Sequence, residues 1–332
     1  MDEKEARRMK AEIRRLKRLL RHEQKQVDLA DRIVHVVKDS IETVPPIVVP
    51  TLPDVRAGVK YDETAVLLLT DLHIGKRTKT YGVNRFRKRL GTLREAMMNI
   101  INAQRSVRPI KKLVIAWGGD IADAESIYPG QSVEHIEIPV LDQIFTVGVP
   151  ELTGFLLFCL ENFEQVENHC VRGNHGRQVG QAKWTASKST NWDFVLYKAL
   201  EATTRNQERL HWNIATKDWK TMFKVEGEGF MLTHGAQIRR YYNLPFYGMT
   251  RQAMRWCNAY RRRFKLTHFL FGHFHSICTG LRFNDVVIYV NGSFVTDDTF
   301  AEEYIGVTSH AEQLLLGVHP KKGVSWRYAL NL

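Results

Sequence analysis

Five short runs carry side chains able to hold a cation or move a proton: Asp71-Leu72-His73, Gly118-Gly119-Asp120, Gly173-Asn174-His175, His234-Gly235 and Gly272-His273-Phe274-His275. Carboxylate, amide and imidazole donors without a thiolate suit Mn, Fe, Zn or Ni better than copper(I) or an iron–sulfur cluster. Each run alone has an ordinary explanation, such as an Asp capping a turn, a His satisfied in a core, or surface imidazoles on an extended segment. In series, with glycines that permit close backbone approach beside four of them, they point to one site.

Such a site needs elements that bring the runs together. Short β-branched or Leu-rich runs predict strands at Ala65–Thr70, Lys112–Trp117, Asn168–Arg172, Phe230–Thr233, Thr267–Phe271 and Val286–Val290. Helical periodicity fits Phe86–Gln104, Pro150–Phe163, Asn191–Thr204 and Met249–Phe264. The alternation is that of a layered α/β domain, and the donors fall where strands end, the place open α/β sheets use for sites.

In this order the runs, D-x-H, G-D-x-x-D, G-N-H, H and G-H-x-H, resemble the calcineurin-like metallophosphoesterase superfamily across roughly Ala65 to Phe294, including Asn291-Gly292-Ser293. The resemblance implies an α/β/β/α sandwich and a hydrolase with two divalent ions, closest to the nuclease and phosphodiesterase branch. One ion would be held by Asp71, His73, Asp120 and His275, the other by Asp120, Asn174, His234 and His273. Mn²⁺ is the favoured ion, with Fe, Zn and Ni as alternatives. Two such ions about 3.5 to 4 Å apart lower the pKa of a shared water and clamp phosphate oxygens. His175 is then placed to contact the phosphate or protonate the leaving oxygen.

The chain departs from the pattern after Asn174-His175, where Gly176-Arg177 replaces an acid that would orient the histidine. Asp123 keeps another carboxylate nearby, with a helix-start cap as its plainer role. Arg177 reads either as a bidentate phosphate donor or as a surface Arg.

A formal net charge of +12 and a pI near 9.5 favour polyanionic partners. Basic residues interleaved with aromatics follow the motifs, notably Lys76, Arg77, Arg239, Arg240, Tyr241, Arg251 and Arg255. That mixture tracks phosphates and stacks bases, so a DNA nuclease is the leading expectation. The competing readings are a solvated helix face over a phosphomonoesterase for phosphoprotein or small metabolites, and a binding or scaffold protein with a weakened site. The stretch Ala124–Val147, with Tyr128 and His135, would form the discriminating wall of the cleft.

Upstream, Met9, Ile13, Leu16, Leu20, Val27, Ala30, Val34, Val37 and Ile41 recur at steps of three and four. Residues 1–43 therefore read as a basic amphipathic helix, able to form a coiled coil with a partner or its own copy, or to pack on its own domain. Residues 44–60, with Pro45, Pro46, Pro50 and Pro53, read as a linker, and 61–332 as the phosphoesterase domain. No apolar run reaches the roughly 18 to 20 residues of a membrane span, and the N-terminus lacks a signal-peptide core, so a cytoplasmic, membrane-free protein is expected. The four cysteines have no paired spacing and read as free thiols.

Overall fold

The segment Glu63–Leu69, ETAVLLL, is buried at all seven positions, which requires cover on both faces of its sheet. The computed structural model, which describes residues 61–125, 127, 133–177, 191–238, 244–297 and 310–332, shows what supplies that cover. The helix read over 1–43 and the linker over 44–60 lie outside the described residues.

This strand is β1. It is followed by α1 (Val83–Arg105), β2 (Ile110–Trp117), α2 (Val149–Asn162), β3 (Gln165–Cys170), α3 (Trp192–Thr203) and β4 (Leu210–Ile214). Each helix is the crossover that a parallel pair demands, and β1, β2, β3 and β4 are parallel neighbours. A second sheet takes β5 (Lys220–Val225), β6 (Glu228–Thr233), α4 (Phe246–Tyr260), β7 (His268–Phe271), β8 (Cys278–Phe283) and β9 (Val286–Val290) in the spatial order β5-β6-β7-β9-β8. The chain then returns to the first sheet through β10 (Glu312–His319), antiparallel to β1, and β11 (Gly323–Asn331).

The period of two sorts the core. Val66, Leu68, Val114, Ala116, Leu314 and Leu316 face the other sheet and meet Phe223, Phe230, Leu232, Leu270 and Tyr289. On the outer face of the second sheet, Met231, Phe269, Phe271 and Ile288 are covered by Met249, Ala253 and Trp256 of α4. Helices α1, α2 and α3 contact the first sheet. The result is the expected layered α/β/β/α sandwich.

Two expectations shift. The third strand runs Gln165–Cys170 instead of Asn168–Arg172, because its pairing with β2 starts at Gln165 and its pairing with β4 at Val166. A π-helical turn, Asp142–Gly148, runs into α2, and together Asp142–Asn162 is long and apolar enough by length and composition to cross a bilayer. No continuous apolar run betrays it, because Asp142, Glu151 and Glu161 interrupt the sequence, and most of the helix is buried inside the protein.

Candidate metal centre

Every donor run leaves a strand at its C-terminal end: Asp71 and His73 after β1, Asp120 after β2, Asn174 and His175 after β3, His234 after β6, and His273 and His275 after β7. The turns are sharp. Asp71, His73, Asp120, His273 and His275 have φ of 55°, 47°, 53°, 71° and 54°, and they are five of the eight non-glycine residues with positive φ among those described. Such backbone costs on the order of 1 kcal/mol or more per residue and persists only where neighbours impose it. Here the loops bind one another: Asp71 N–H donates to Gly119 O (3.0 Å), His73 N–H to Asp120 O (3.0 Å), and Gly272 N–H to His234 O (3.0 Å). Gly119, at φ +89°, lies so close to the third loop that a Cβ there would sit 2.3 Å from Gly173 N.

Among the described residues the donors form three groups, Asp71/His73/His275, Asp120/His234/His273 and His73/Asp123/His175, the first and third sharing His73, each with ligand atoms within 4.8 Å of one another. His73 Nε2 and His275 Nε2 are 3.2 Å apart, and His275 Nε2 lies 3.3 Å from Asp71 Oδ1. On the other side, His234 Nδ1–H donates to Gly118 O at 2.8 Å, which leaves Nε2 turned toward Asp120 Oδ2 at 2.9 Å and Asn174 Oδ1 at 3.0 Å. A lone pair directed at two oxygen acceptors calls for a proton or a cation between them. Among the described residues, the buried His73 Nδ1 has no hydrogen-bond partner. This donor set fits a pair of divalent ions: oxygen and imidazole ligands, with a carbonyl fixing the tautomer of His234 behind it.

Without a cation, electrostatics fill the role. Burial alone would raise the Asp71 pKa, but the His275 and His234 imidazoles outweigh it and hold it at about 2. Burial opposes charge on His234, yet Asp120 and Asp71 push its pKa up to about 9. The raised value stabilises the folded, metal-free protein fully below the ordinary pKa near 6.5, and that contribution is lost as pH rises through about 9. A metal must displace this proton. Apparent affinity for Mn²⁺ or Zn²⁺ is therefore expected to rise about tenfold per pH unit below pH 9, with proton release measurable by titration calorimetry in buffers of different ionisation enthalpy. A pH-independent affinity with no proton release would exclude His234 as a ligand.

In the third group, His175 Nδ1 lies 2.6 Å from Asp123 Oδ1, and His175 N–H donates to Asp120 Oδ1 at 2.6 Å. Burial lowers the His175 pKa, but the charges of Asp123 and Asp120 reverse this and raise it. Asp123 begins no helix. Its backbone N–H donates to Gln143 Oε1 (2.9 Å), and Gln143 Nε2 returns a bond to Asp123 O (2.8 Å). The carboxylate that Gly176 does not supply thus comes from Asp123. Position 176 has no room for an acid, since a Cβ there would lie 2.5 Å from Asn191 Oδ1.

Sequence reasoning missed Asp193, in the first turn of α3. Its two buried oxygens accept from Asp120 N (3.0 Å), Ile121 N (3.0 Å), Ala122 N (3.3 Å) and Gly173 N (2.8 Å), tying the second donor loop to the third. Burial and Asp120 push its pKa up to about 6, against the pull of those backbone donors. An acid in a first helical turn is ordinary, and nothing local marks this one. Asp193→Ala is expected to cost about 3 to 5 kcal/mol in urea unfolding, because four amides lose their acceptor; Asp193→Asn, with one acceptor left, costs less. Equal stability of the Ala variant and wild type would refute the clamp. Asn291 and Ser293 also brace the first loop: Asn291 Nδ2 donates to Leu68 O and Ser293 Oγ to Asp71 O.

The residues read as substrate contacts divide. Lys76 is only 6% exposed and sits near Asp123 and His175, in a segment that bridges to Ile136. Arg77 is exposed, Arg177 is half-buried beside Arg172, and Arg251 and Arg255 are exposed on α4. Arg239, Arg240, Tyr241 and Tyr128 lie outside the described residues.

No protein-family model and no curated protein sequence matches the chain. Among solved structures, it is similar to a predicted phosphoesterase from Streptococcus pneumoniae (8% identity, 80% of this chain and 98% of that one, TM-score 0.34). It is also similar to Vps29 complexed with zinc from Entamoeba histolytica (11%, 80% and 99%, TM-score 0.30) and to phosphopantetheinyl hydrolase from Mycobacterium tuberculosis (10%, 70% and 90%, TM-score 0.31). At these values the likeness extends to no activity, and the chemistry of the site stands on its own donors.

Proposed function

We propose that the chain is a two-metal phosphodiesterase that cuts nucleic acid, with DNA as its substrate and Mn²⁺ as its working ion. The observation that carries this reading is the pair of donor groups, Asp71/His73/His275 and Asp120/His234/His273, with the His175–Asp123 pair alongside. Asp71, His73, Asp120 and His275 would hold one ion, and Asp120, Asn174, His234 and His273 the other. When bound, two such ions supply positive charge to the phosphate oxygens and acidify the attacking water.

The protein's own contribution is positional. Asp123, held by Gln143, keeps His175 Nδ1 engaged, so Nε2 is the ring nitrogen left to deliver a proton to the leaving oxygen. The charges of Asp123 and Asp120 raise the His175 pKa against burial, which favours the protonated ring. The basic composition supports a polyanionic substrate over a small phosphomonoester.

The test is Mn²⁺-dependent hydrolysis of bis-p-nitrophenyl phosphate, p-nitrophenyl phosphate, and labelled single- and double-stranded DNA. Cleavage of DNA and the diester supports the reading. Cleavage of the monoester alone replaces it with a phosphatase, and metal binding without turnover on any phosphoester replaces it with a binding protein.

A further inference from the structure

One element carries positive charge with no acid to offset it. Phe246–Lys265, which spans α4 and the turn after it, carries Arg251, Arg255, Arg261, Arg262, Arg263 and Lys265 and no Asp or Glu. Met249, Ala253 and Trp256 turn inward onto the second sheet. At about 3.6 residues per turn, the opposite face holds Tyr247, Arg251, Met254, Arg255 and Asn258, all exposed, and Arg262 is exposed in the turn that follows. Of the five large hydrophobic side chains exposed among the described residues, Phe246 (46%), Tyr247 (78%) and Met254 (44%) are all on this helix. Among the described residues, none of the five arginines has an acidic partner.

An unpaired row of like charges is self-repulsive, and a polyanion relieves it. Arg251 and Arg255 are one four-residue step, about 6 Å, apart along the helix, and the turn after it adds Arg262, so positive charge is spread along the element as suits a charged rod. A lipid surface fits less well: a membrane-lying helix inserts a continuous apolar face, and here that face, Met249, Ala253 and Trp256, is occupied by the protein core, which leaves Phe246, Tyr247 and Met254 scattered among polar residues. Because α4 connects the end of β6, where His234 stands, to the start of β7, its first turn lies toward the edge that carries the donors, and the helix runs about 22 Å away from it.

We propose that the outer face of α4 and the turn after it is a docking surface for the sugar–phosphate backbone of DNA, outside the cleft, with Arg251, Arg255 and Arg262 on phosphates and Tyr247 packed on sugar or base. As an account of substrate holding it rests on the phosphodiesterase reading, but binding can be measured without turnover. The experiment uses the full chain in EDTA and follows the anisotropy of a fluorescein-labelled duplex of about two helical turns across a salt series. Combined Arg251→Ala, Arg255→Ala and Arg262→Ala substitutions are expected to weaken binding about 10- to 100-fold near 100 mM salt. The slope of log K against log salt should shrink by about 2.7, or about 0.9 for each phosphate that is no longer neutralised. Tyr247→Ala should weaken binding and leave the slope unchanged, and wild-type hydrolysis of bis-p-nitrophenyl phosphate should persist in all variants. Glutamine at the three arginine positions gives the same slope change if the alanine variant fails to fold. An unchanged affinity and slope would overturn the surface, as would capture of phosphatidylserine vesicles or polyglutamate in preference to the duplex. Failure of the wild type to cut the small diester would instead sink the phosphodiesterase reading while the binding result still decides the role of α4.

Discussion

Asp120→Asn is expected to reduce Mn²⁺-dependent turnover of bis-p-nitrophenyl phosphate by about 10³- to 10⁴-fold, equivalent to about 4 to 5.5 kcal/mol of transition-state stabilisation. Asp120 sits in the second donor group, with Oδ2 at His234 Nε2, and its Oδ1 accepts from His175 N; in the proposed reading it also serves the first ion. The amide keeps the shape and one acceptor but removes the charge. His234, whose pKa of about 9 depends on Asp120, then falls toward or below its ordinary value, because burial still opposes its charge. Loss of this negative charge also relieves Asp71 and Asp193, whose pKa values Asp120 raises. The metal-free variant should therefore unfold within a few degrees of wild type, while the rise in Tm produced by Mn²⁺ is lost. NMR titration of His234 and a thermal-shift series with metal separate these effects. Retention of both turnover and the metal-induced rise would remove Asp120 from the site.

The donors are legible in the sequence because each run is local and each strand end is marked by apolar residues followed by glycine or a polar turn. What local sequence does not show is the contact partner. Asp193 reaches Asp120 N from 73 positions away, and Gln143 reaches Asp123 N from 20. The pattern leads one to expect the histidine's carboxylate next to it, at position 176, whereas the fold supplies it from 52 residues upstream. Strands β10 and β11 escape a reading by pattern. In β10, EQLLLGVH, the apolar run is covered on both sides, so its period cannot be told from that of a buried helix segment. Lys76 shows the converse limit: nothing in its basic run foretells burial, and only the loop's inward course makes it a neighbour of Asp123 and His175.

His175→Ala separates leaving-group protonation from metal binding. His175 belongs with His73 and Asp123 in a third cluster of donors, so a role as ligand and a role as acid both have to be weighed. Its Nδ1 is committed to Asp123 at 2.6 Å, which favours the acid. A p-nitrophenolate departs without help, whereas a deoxyribose oxygen needs a proton. The alanine variant is therefore expected to lose about 10²- to 10⁴-fold on DNA but less than about tenfold on the nitrophenyl diester, with metal affinity unchanged. Loss of equal size on both substrates, together with weaker metal binding, would make His175 a ligand instead. The pH profile gives a second, independent reading. With the protonated ring as the active form, kcat/KM falls as pH rises through the His175 pKa, which Asp123 and Asp120 hold above its ordinary value against burial. Asp123→Asn removes one of those charges, so the basic limb of the DNA profile should move to lower pH while the nitrophenyl diester profile stays in place. A limb that does not move would show that Asp123 orients the ring without setting its charge.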